Sequence, residues 1–182
     1  NDAKVVAMGN KLKVDKFVLS NKRPLWTTDF CAYVIRGLED GRNYIEDIIP
    51  AEFKTADVCK FIIEHYAQYQ DEFFHNVDVK VLRQVAHLSR KAFKHIPKSE
   101  ITYELCMTCV TNDGKAIRHI PSDMITQELC NESISNNGLF YDIPKEFKTQ
   151  ELCNLYLKSL KFSIYAIPEE FVTTEMLIHA AI

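Results

Sequence analysis

A phrase that recurs at a fixed interval is the strongest constraint on how this chain can fold. The stretch YDIPKEFKTQELC at 141–153 nearly repeats IPAEFKTADVC at 49–59. The period is marked by Pro50, Pro97, Pro121, Pro144 and Pro168. Successive members of this series are 47, 24, 23 and 24 residues apart, and the longest gap equals two periods. Such fixed-period self-similarity is typical of stacked repeat proteins.

Each unit carries the signal of a helix N-terminus. A threonine recurs at Thr27, Thr55, Thr102, Thr126, Thr149 and Thr173. An acid follows two residues later, at Asp29, Asp57, Glu104, Glu128, Glu151 and Glu175. A threonine hydroxyl at the N-cap accepts a hydrogen bond from an amide of the first turn, and the positive end of the helix dipole favours an acid in that turn. These positions therefore predict helix starts.

An apolar face follows each predicted cap. One row runs through Phe30, Val58, Leu82, Leu105, Leu129, Leu152 and Met176. The residue after it is a cysteine in five units, at Cys31, Cys59, Cys106, Cys130 and Cys153. These positions lie on one stripe of a helix, and a free cysteine there behaves as a small buried hydrophobe. We expect a helix of about 11 residues per unit, a turn such as 112–114 or 137–138, and a short helical return that stops at the next proline.

These features predict an all-α fold, in which tandem helical repeats stack as a short α-solenoid of about seven units with a period of about 23–24 residues. The array is expected to span 27–182, with its C-terminal repeat truncated. Residues 1–26 are expected to hold a partial N-terminal repeat or lead-in helix, because AKVVAMGN resembles the end of a repeat helix. The unit 74–96 is degenerate, since it lacks Pro, Thr and Cys and places Arg83 and His87 at normally apolar positions.

The composition narrows the class of protein. A net charge of −3 over 182 residues gives no general signature of polyanion binding. No apolar run reaches the roughly 18 residues of a membrane span, and no secretory signal peptide is visible. The six cysteines are not needed as a disulfide framework in a chain this rich in core residues. We therefore expect a soluble protein of a reducing intracellular compartment, cut from a longer chain.

The phrases IPKEFKTQELC, IPSDMITQELC and IPAEFKTADVC resemble the tandem Ile-Pro / Thr-x-Glu-Leu-Cys repeats of an uncharacterised family. That family occurs in bacterial effector-type proteins and in some protist and large-virus proteins. The resemblance covers about 27–182, and the unit 74–96 departs from its pattern. It implies a helical repeat scaffold without a known activity. It also implies a larger effector-type protein, secreted by a bacterium into a host cell.

Signals for catalysis or metal binding are weak. Cys106-x-x-Cys109 lacks the second pair that a structural zinc site needs. A nucleophilic pair of His87 with Cys106 would need a thiol outside the packing row. No phosphate-binding glycine loop, H-E-x-x-H or G-x-S-x-G is present. We expect no catalytic residue, metal or cofactor in this fragment, with one alternative open, namely that the array is part of a ligase or transferase domain of an effector.

A basic segment at 80–98 interrupts the acidic chain. No acid occurs from Val79 to Ser99, where six cationic side chains accumulate: Lys80, Arg83, Arg90, Lys91, Lys94 and Lys98. This segment is suited to an acidic protein surface, a phosphoinositide head group or nucleic acid. A one-base-per-repeat code is not expected, because the candidate position holds Tyr33, Phe61, Val85, Thr108, Glu132 and Leu155.

The sequence as a whole predicts a helical-repeat scaffold that binds another protein through the variable positions of its helices. No specific nucleic acid is expected as a partner, and an acidic surface or phosphoinositide at 80–98 stays open as an alternative. The predicted contact residues are Tyr33, Phe61, Arg83, Arg90, Lys91 and Lys94.

Overall fold

The computed structural model describes residues 5–8, 11–14, 49–66, 70–158 and 163–181. These residues are mostly helical, which confirms the all-α class, and the exception is one short β-hairpin near the N-terminus. The chain divides into two compact units, Asn1–Val85 and Ala86–Ile182. In the part of the chain described, no helix is both long enough and apolar enough to cross a bilayer.

The hairpin lies where the sequence indicated a partial repeat or lead-in helix. Strand β1 (Val5–Met8) pairs antiparallel with β2 (Lys11–Val14), and Val5 lies opposite Val14. Two consecutive valines begin β1, and β-branched side chains favour extended backbone. The prediction of a helix is therefore wrong for these two segments. The rest of residues 1–26 lies outside the described residues.

The first unit has a helical core between its described residues 49 and 85. Its helices are α1 (Ala56–His65), α2 (Gln70–Phe74) and α3 (Val79–Val85). Helix α1 packs against α3, and Cys59 and Val85 are both fully buried. Lys54, which precedes α1, is also buried: its Nζ donates to the carbonyl of Phe73 at 3.0 Å and lies 4.9 Å from the centre of that ring. The lysine thereby fixes α2 to the segment before α1.

The second unit is a succession of short helices. Its α-helices are α4 (Arg90–Lys94), α5 (Tyr103–Asn112), α6 (Gln127–Ser135), α7 (Gln150–Leu157) and α8 (Thr174–Ala180). Helix α5 packs against α6, and α6 packs against α7. Short 3₁₀ helices separate them, at Ala86–Leu88, Lys98–Glu100, Gly114–His119, Ser122–Met124, Phe140–Asp142, Lys145–Phe147, Ile164–Ala166 and Glu169–Phe171.

The predicted threonine caps are confirmed wherever the structure describes them. In each case the threonine hydroxyl accepts a hydrogen bond from the backbone N–H three residues later, as for Thr126 and Leu129 at 3.3 Å. The same bond occurs at Thr55, Thr102, Thr149 and Thr173. The acid of each unit lies in the first helical turn, as expected from the helix dipole. Thr27 lies outside the described residues.

Each repeat proline begins a helical segment, and from Pro97 onwards each one also follows the end of a helical segment. The isoleucine before it is extended, as Ile143 shows with φ −82° and ψ 127°, because proline disfavours helical backbone in the preceding residue. The next three residues form a 3₁₀ turn, which the sequence analysis did not predict, as after Pro144. The fixed φ of proline, −60° at Pro144, suits the start of such a turn. The α-helix that follows still starts at its threonine cap and has 10 residues in α5 and 8 in α7, compared with the expected length of about 11.

In the degenerate repeat 74–96, a different side chain caps the start of the helix. Asp78 stands one period before Thr102 and precedes α3. Its carboxylate accepts a hydrogen bond from the N–H of Lys80 at 2.8 Å. Aspartate is as good an N-cap residue as threonine, so the missing threonine does not remove the helix. This repeat then departs from the other repeats, because the 3₁₀ turn Ala86–Leu88 follows α3 directly.

A glycine-containing junction joins the C-terminal ends of α5 and α6. The N–H of Gly114 donates to the carbonyl of Asn136 at 3.0 Å, and the hydroxyl of the buried Ser133 donates to the carbonyl of Gly114 at 2.8 Å. Asn137 has a φ of 63°, in the left-handed region predicted for this turn. A Cβ placed on Gly114 would lie 2.6 Å from the backbone nitrogen of Gly138 and 2.7 Å from the carbonyl oxygen of Asn136. Neighbouring repeats therefore meet backbone to backbone here, without room for a side chain.

We expect Gly114→Ala to lower the free energy of unfolding by about 3 kcal/mol, because the new methyl group forces backbone atoms apart. Urea denaturation at pH 7 measures the change. Asn137→Gly is the matched control in the same turn. It should be neutral or stabilising by up to about 1 kcal/mol, since glycine adopts a positive φ without strain. A Gly114→Ala protein within about 0.5 kcal/mol of the wild type would show that the junction is not close-packed.

Candidate binding surface

The structure describes two of the three predicted contact residues of the first unit. Tyr33 lies outside the described residues. Phe61 lies on α1 and is half-buried, with its ring centre 4.7 Å from that of His65 and 5.7 Å from that of Tyr66. Arg83 is exposed on α3. The half-buried Phe61 is thus part of a local aromatic cluster, which limits what it can offer a partner.

The other three predicted residues share helix α4 in the second unit. Ser89 caps this helix, and its hydroxyl accepts a hydrogen bond from the N–H of Lys91 at 3.2 Å. The guanidinium of Arg90 donates to Asp113 Oδ2 at 2.8 Å, and both side chains are less than half exposed. Lys91 is half-buried, whereas Lys94 is exposed. The basic segment is therefore not a uniform cationic surface, because Arg90 is committed to an ion pair within the protein.

A second ion pair joins the next two repeats. Arg118 Nη2 donates to Asp142 Oδ2 at 2.7 Å, and Arg118 Nε reaches the same oxygen at 3.2 Å. The pair spans 24 residues, compared with 23 for Arg90 and Asp113. Partly exposed pairs of this kind contribute about 1 kcal/mol or less to stability. Their main consequence is geometric, because each one fixes a side chain of one repeat against the next.

One exposed side chain recurs three residues before each repeat proline of the second unit. We call this set the pre-proline row: Lys94, Arg118, Tyr141 and Tyr165. The tyrosines are 66% and 91% exposed. Helix α4 packs against Gly114–His119, which packs against Phe140–Asp142, so the first three members lie on consecutive contacting segments.

Burial of the neighbouring residues forces the pre-proline row outwards. The residue before each member is apolar and buried in three of the four turns, at Phe93, Ile117 and Phe140. The isoleucine two residues after each member is also buried, as Ile120 and Ile143 illustrate. In a short helical turn, two such anchors leave the residue between them directed to solvent. The position is therefore free to vary in side chain while the backbone beneath it is held.

The sequence analysis missed Arg118, Tyr141 and Tyr165 as candidate contact residues. It weighed the cations of the basic segment and the variable helix position of Tyr33 and Phe61 instead. The usable signal was the apolar pattern around the proline. An apolar residue four before the proline and an isoleucine one before it predict an exposed residue between them.

The thiols are buried and electrostatically unsuited to catalysis. Cys59, Cys106, Cys109, Cys130 and Cys153 are free and buried, which confirms their predicted packing role, while Cys31 lies outside the described residues. Burial raises the thiol pKa from 9.0 to about 12 in Cys59 and Cys109 and to about 11 in Cys106 and Cys130. A thiol protonated at neutral pH is a poor nucleophile. Over the described residues, no three His, Cys, Asp or Glu side chains come together as a metal-ligand group.

Comparison with known proteins identifies no relative. No protein-family model matches the chain, and no curated protein or solved structure matches it significantly. The resemblance of its repeats to an effector-type family therefore stays a prediction.

The raised thiol pKa values predict a loss of stability in alkali. Each buried thiol holds its proton to a higher pH in the folded protein than in the unfolded chain. Its contribution is therefore complete below pH 9 and is lost as pH rises towards 11–12. Between pH 8 and 9.5 we expect the free energy of unfolding to fall by roughly 0.5–1 kcal/mol for each buried thiol, measured by urea denaturation. Cys130→Ala should make this fall smaller, and an unchanged or rising stability over that interval would contradict the burial of the thiols.

Proposed function

We propose that the second unit is a short α-solenoid whose function is to bind a segment of another protein. The single observation that carries the proposal is that neighbouring repeats are joined by the same bond in the same place. Gln127 Nε2 donates to the carbonyl of Phe147 at 3.1 Å, and Gln150 Nε2 donates to that of Phe171 at 3.3 Å. Both glutamines follow the threonine cap, and both acceptors end the 3₁₀ turn after the next proline. Equivalent bonds one period apart are expected when each repeat packs on its neighbour in a constant orientation.

Further polar contacts between consecutive repeats support this stacking. The hydroxyl of Tyr103 donates to Glu128 at 2.7 Å, and that of Thr111 donates to Glu132 at 2.8 Å. These bonds run between the exposed sides of α5 and α6, one near the start of the helices and one near their end. Two hydrogen bonds along one helix pair fix both the spacing and the rotation of the repeats.

Burial at the cysteine position also fits a nearest-neighbour arrangement. Cys106, Cys130 and Cys153 are 0% exposed on α5, α6 and α7. Leu177 holds the same position on α8 and is 55% exposed. The larger and more apolar side chain is the exposed one, so its own helix does not bury this position. In the proposed stack, a neighbouring repeat supplies the cover.

A scaffold role follows from the division between buried and variable positions. The apolar positions that join the repeats are nearly constant in type, whereas the exposed pre-proline row changes from cationic to aromatic along the chain. A regular backbone that presents different side chains at equivalent places is how repeat proteins select partners. The high thiol pKa values argue against a catalytic cysteine, and the pairing of Arg90 with Asp113 weakens the case for a phosphoinositide site on α4.

The resemblance to repeats of effector-type proteins adds a cellular setting to this proposal. On this ground we propose that the scaffold is part of a larger protein of bacterial origin that acts in the reducing interior of a host cell. Free, buried cysteines suit such a compartment, because no disulfide is needed to hold the described residues together.

Selection from a random peptide library displayed on phage tests the proposed function. The folded chain should enrich related sequences over a blank surface, because a protein-binding scaffold recognises extended segments without further components. Lys94→Glu with Lys98→Glu should reduce recovery of those phage about tenfold, since both side chains are exposed at the basic end of the unit. Lys145→Glu with Lys158→Glu changes two other exposed lysines by the same charge and should leave recovery unchanged. No enrichment by the wild-type chain would contradict a protein-binding role.

A further inference from the structure

We propose that Asn137 is a site of spontaneous covalent modification, and that the closed junction between α5 and α6 suppresses the reaction. The reaction is deamidation, which converts the asparagine to aspartate or isoaspartate. It consumes water and needs no enzyme, cofactor or oxidant. Because the reaction is suppressed while the junction is closed, modified Asn137 records past opening of the contact between α5 and α6. The chemistry is independent of the proposed binding function.

The dipeptide Asn137-Gly138 supplies both reacting groups. It is the single Asn-Gly pair in the sequence. Asparagine is one of the thermolabile residues. A glycine that follows it has no Cβ, so its backbone nitrogen is less obstructed than that of any other residue. Asn137 is also exposed to water, which is the second reactant. Sequence and exposure therefore single out this position among the asparagines of the chain.

The bond changes of the reaction balance with water as the sole added reagent. The backbone nitrogen of Gly138 forms a bond to Cγ of Asn137, and the bond from Cγ to the side-chain nitrogen breaks. The proton lost by the glycine nitrogen leaves with that group as ammonia, and a five-membered succinimide ring remains. Water then adds to one of the two ring carbonyls and breaks its bond to nitrogen. Opening at the α-carbonyl gives isoaspartate, and opening at the side-chain carbonyl gives aspartate.

The closed junction opposes the first step of this reaction. The N–H of Gly138 donates to the carbonyl of Ser133 at 2.7 Å, so the proton that must be lost is held in a hydrogen bond. Gly138 is also buried, and a Cβ placed on Gly114 would lie 2.6 Å from its nitrogen. The attacking nitrogen is thus packed against backbone of the neighbouring repeat. It becomes free to attack when the junction opens locally.

Two hydrogen bonds across the junction oppose this opening. The N–H of Gly114 donates to the carbonyl of Asn136 at 3.0 Å, and the hydroxyl of Ser133 donates to the carbonyl of Gly114 at 2.8 Å. Both join the end of α5 to the end of α6, next to the reacting dipeptide. Removing either bond should therefore raise the population of the open junction and the rate of deamidation.

The products do not fit the closed junction. Isoaspartate inserts one more carbon into the main chain between residue 137 and Gly138, which must then move. There is no space for that movement towards Ser133, because a Cβ placed on Gly138 would lie 2.6 Å from the carbonyl oxygen of Ser133. Both products also add a carboxylate just beyond the C-terminal end of α6, where the helix dipole disfavours negative charge. The modification therefore weakens the junction that suppresses it.

Peptide mapping by mass spectrometry tests the suppression. It measures the fraction of Asn137 converted while the full chain is incubated at pH 8, and the synthetic peptide SISNNGLFY, residues 133–141, is the unfolded reference. We expect conversion in the folded chain to be at least about tenfold slower than in the peptide, because a local opening must come first. An equal rate would overturn the suppression. A peptide that is not converted would overturn the assignment of the site.

Two serine substitutions on α6 test the control by the junction. Ser133→Ala removes the hydroxyl bonded to Gly114 and should speed conversion of Asn137 about fivefold. Ser135→Ala is the matched control, because this exposed hydroxyl donates to the carbonyl of Asn131 within α6; it should leave the rate unchanged. Circular dichroism establishes that both variants fold. A folded Ser133→Ala protein with the wild-type rate would overturn the role of the junction.

Isolation of the modified chain tests the effect of the products. Anion exchange separates it, since deamidation adds a negative charge. We expect its urea midpoint to lie below that of the wild type, and the isoaspartyl form to unfold at less urea than Asn137→Asp, because isoaspartate alone lengthens the main chain. A modified chain with the wild-type midpoint would overturn the claim that the products do not fit.

Discussion

In the α-solenoid that we propose for the second unit, burial of one small apolar position against the next repeat is the constraint on which the rest depends. None of these short helices can cover its own apolar face: Cys106, Cys130 and Cys153 are buried, while Leu177 at the equivalent place is half exposed. A fully buried side chain of this size is worth about 1–2 kcal/mol. Such contributions accumulate only when successive units keep one orientation. The hydrogen bonds of Gln127 and Gln150 to the next repeat, together with the backbone contact at Gly114, hold that orientation.

The sequence predicted the caps and turns within each repeat, but it did not predict the contacts between repeats. The threonine caps, the extended residue before each proline and the left-handed Asn137 all follow from preferences within a few residues. The 3₁₀ turn after each proline was missed because three residues are too few to show a period. The hairpin at Val5–Met8 was read as helix because a short apolar run fits either structure. Asp78 was overlooked as a cap because only threonine was sought at that position.

The candidate binding surface shows the same contrast between what the sequence predicts locally and what only the contacts in the fold reveal. Lys94 was identified from charge alone, and Arg90 was assigned to the same surface although it is paired with Asp113. Charge patterning shows how many cations a segment has, but not which of them the fold already uses. The two exposed tyrosines carry no charge and lie outside the basic segment, so only their place in the repeat distinguishes them. The buried residues on either side of that position direct its side chain to solvent.

The central claim is that the repeats support one another only through nearest neighbours, and per-cysteine alkylation rates under native conditions test it most directly. Met176 is fully buried on α8, and Met176→Ala should destabilise this helix by about 2–5 kcal/mol. We predict that Cys153, on the preceding helix α7, is then alkylated faster, while Cys106 and Cys109 keep their wild-type rates. Equal acceleration of all three thiols would contradict the account, because it would show one undivided core.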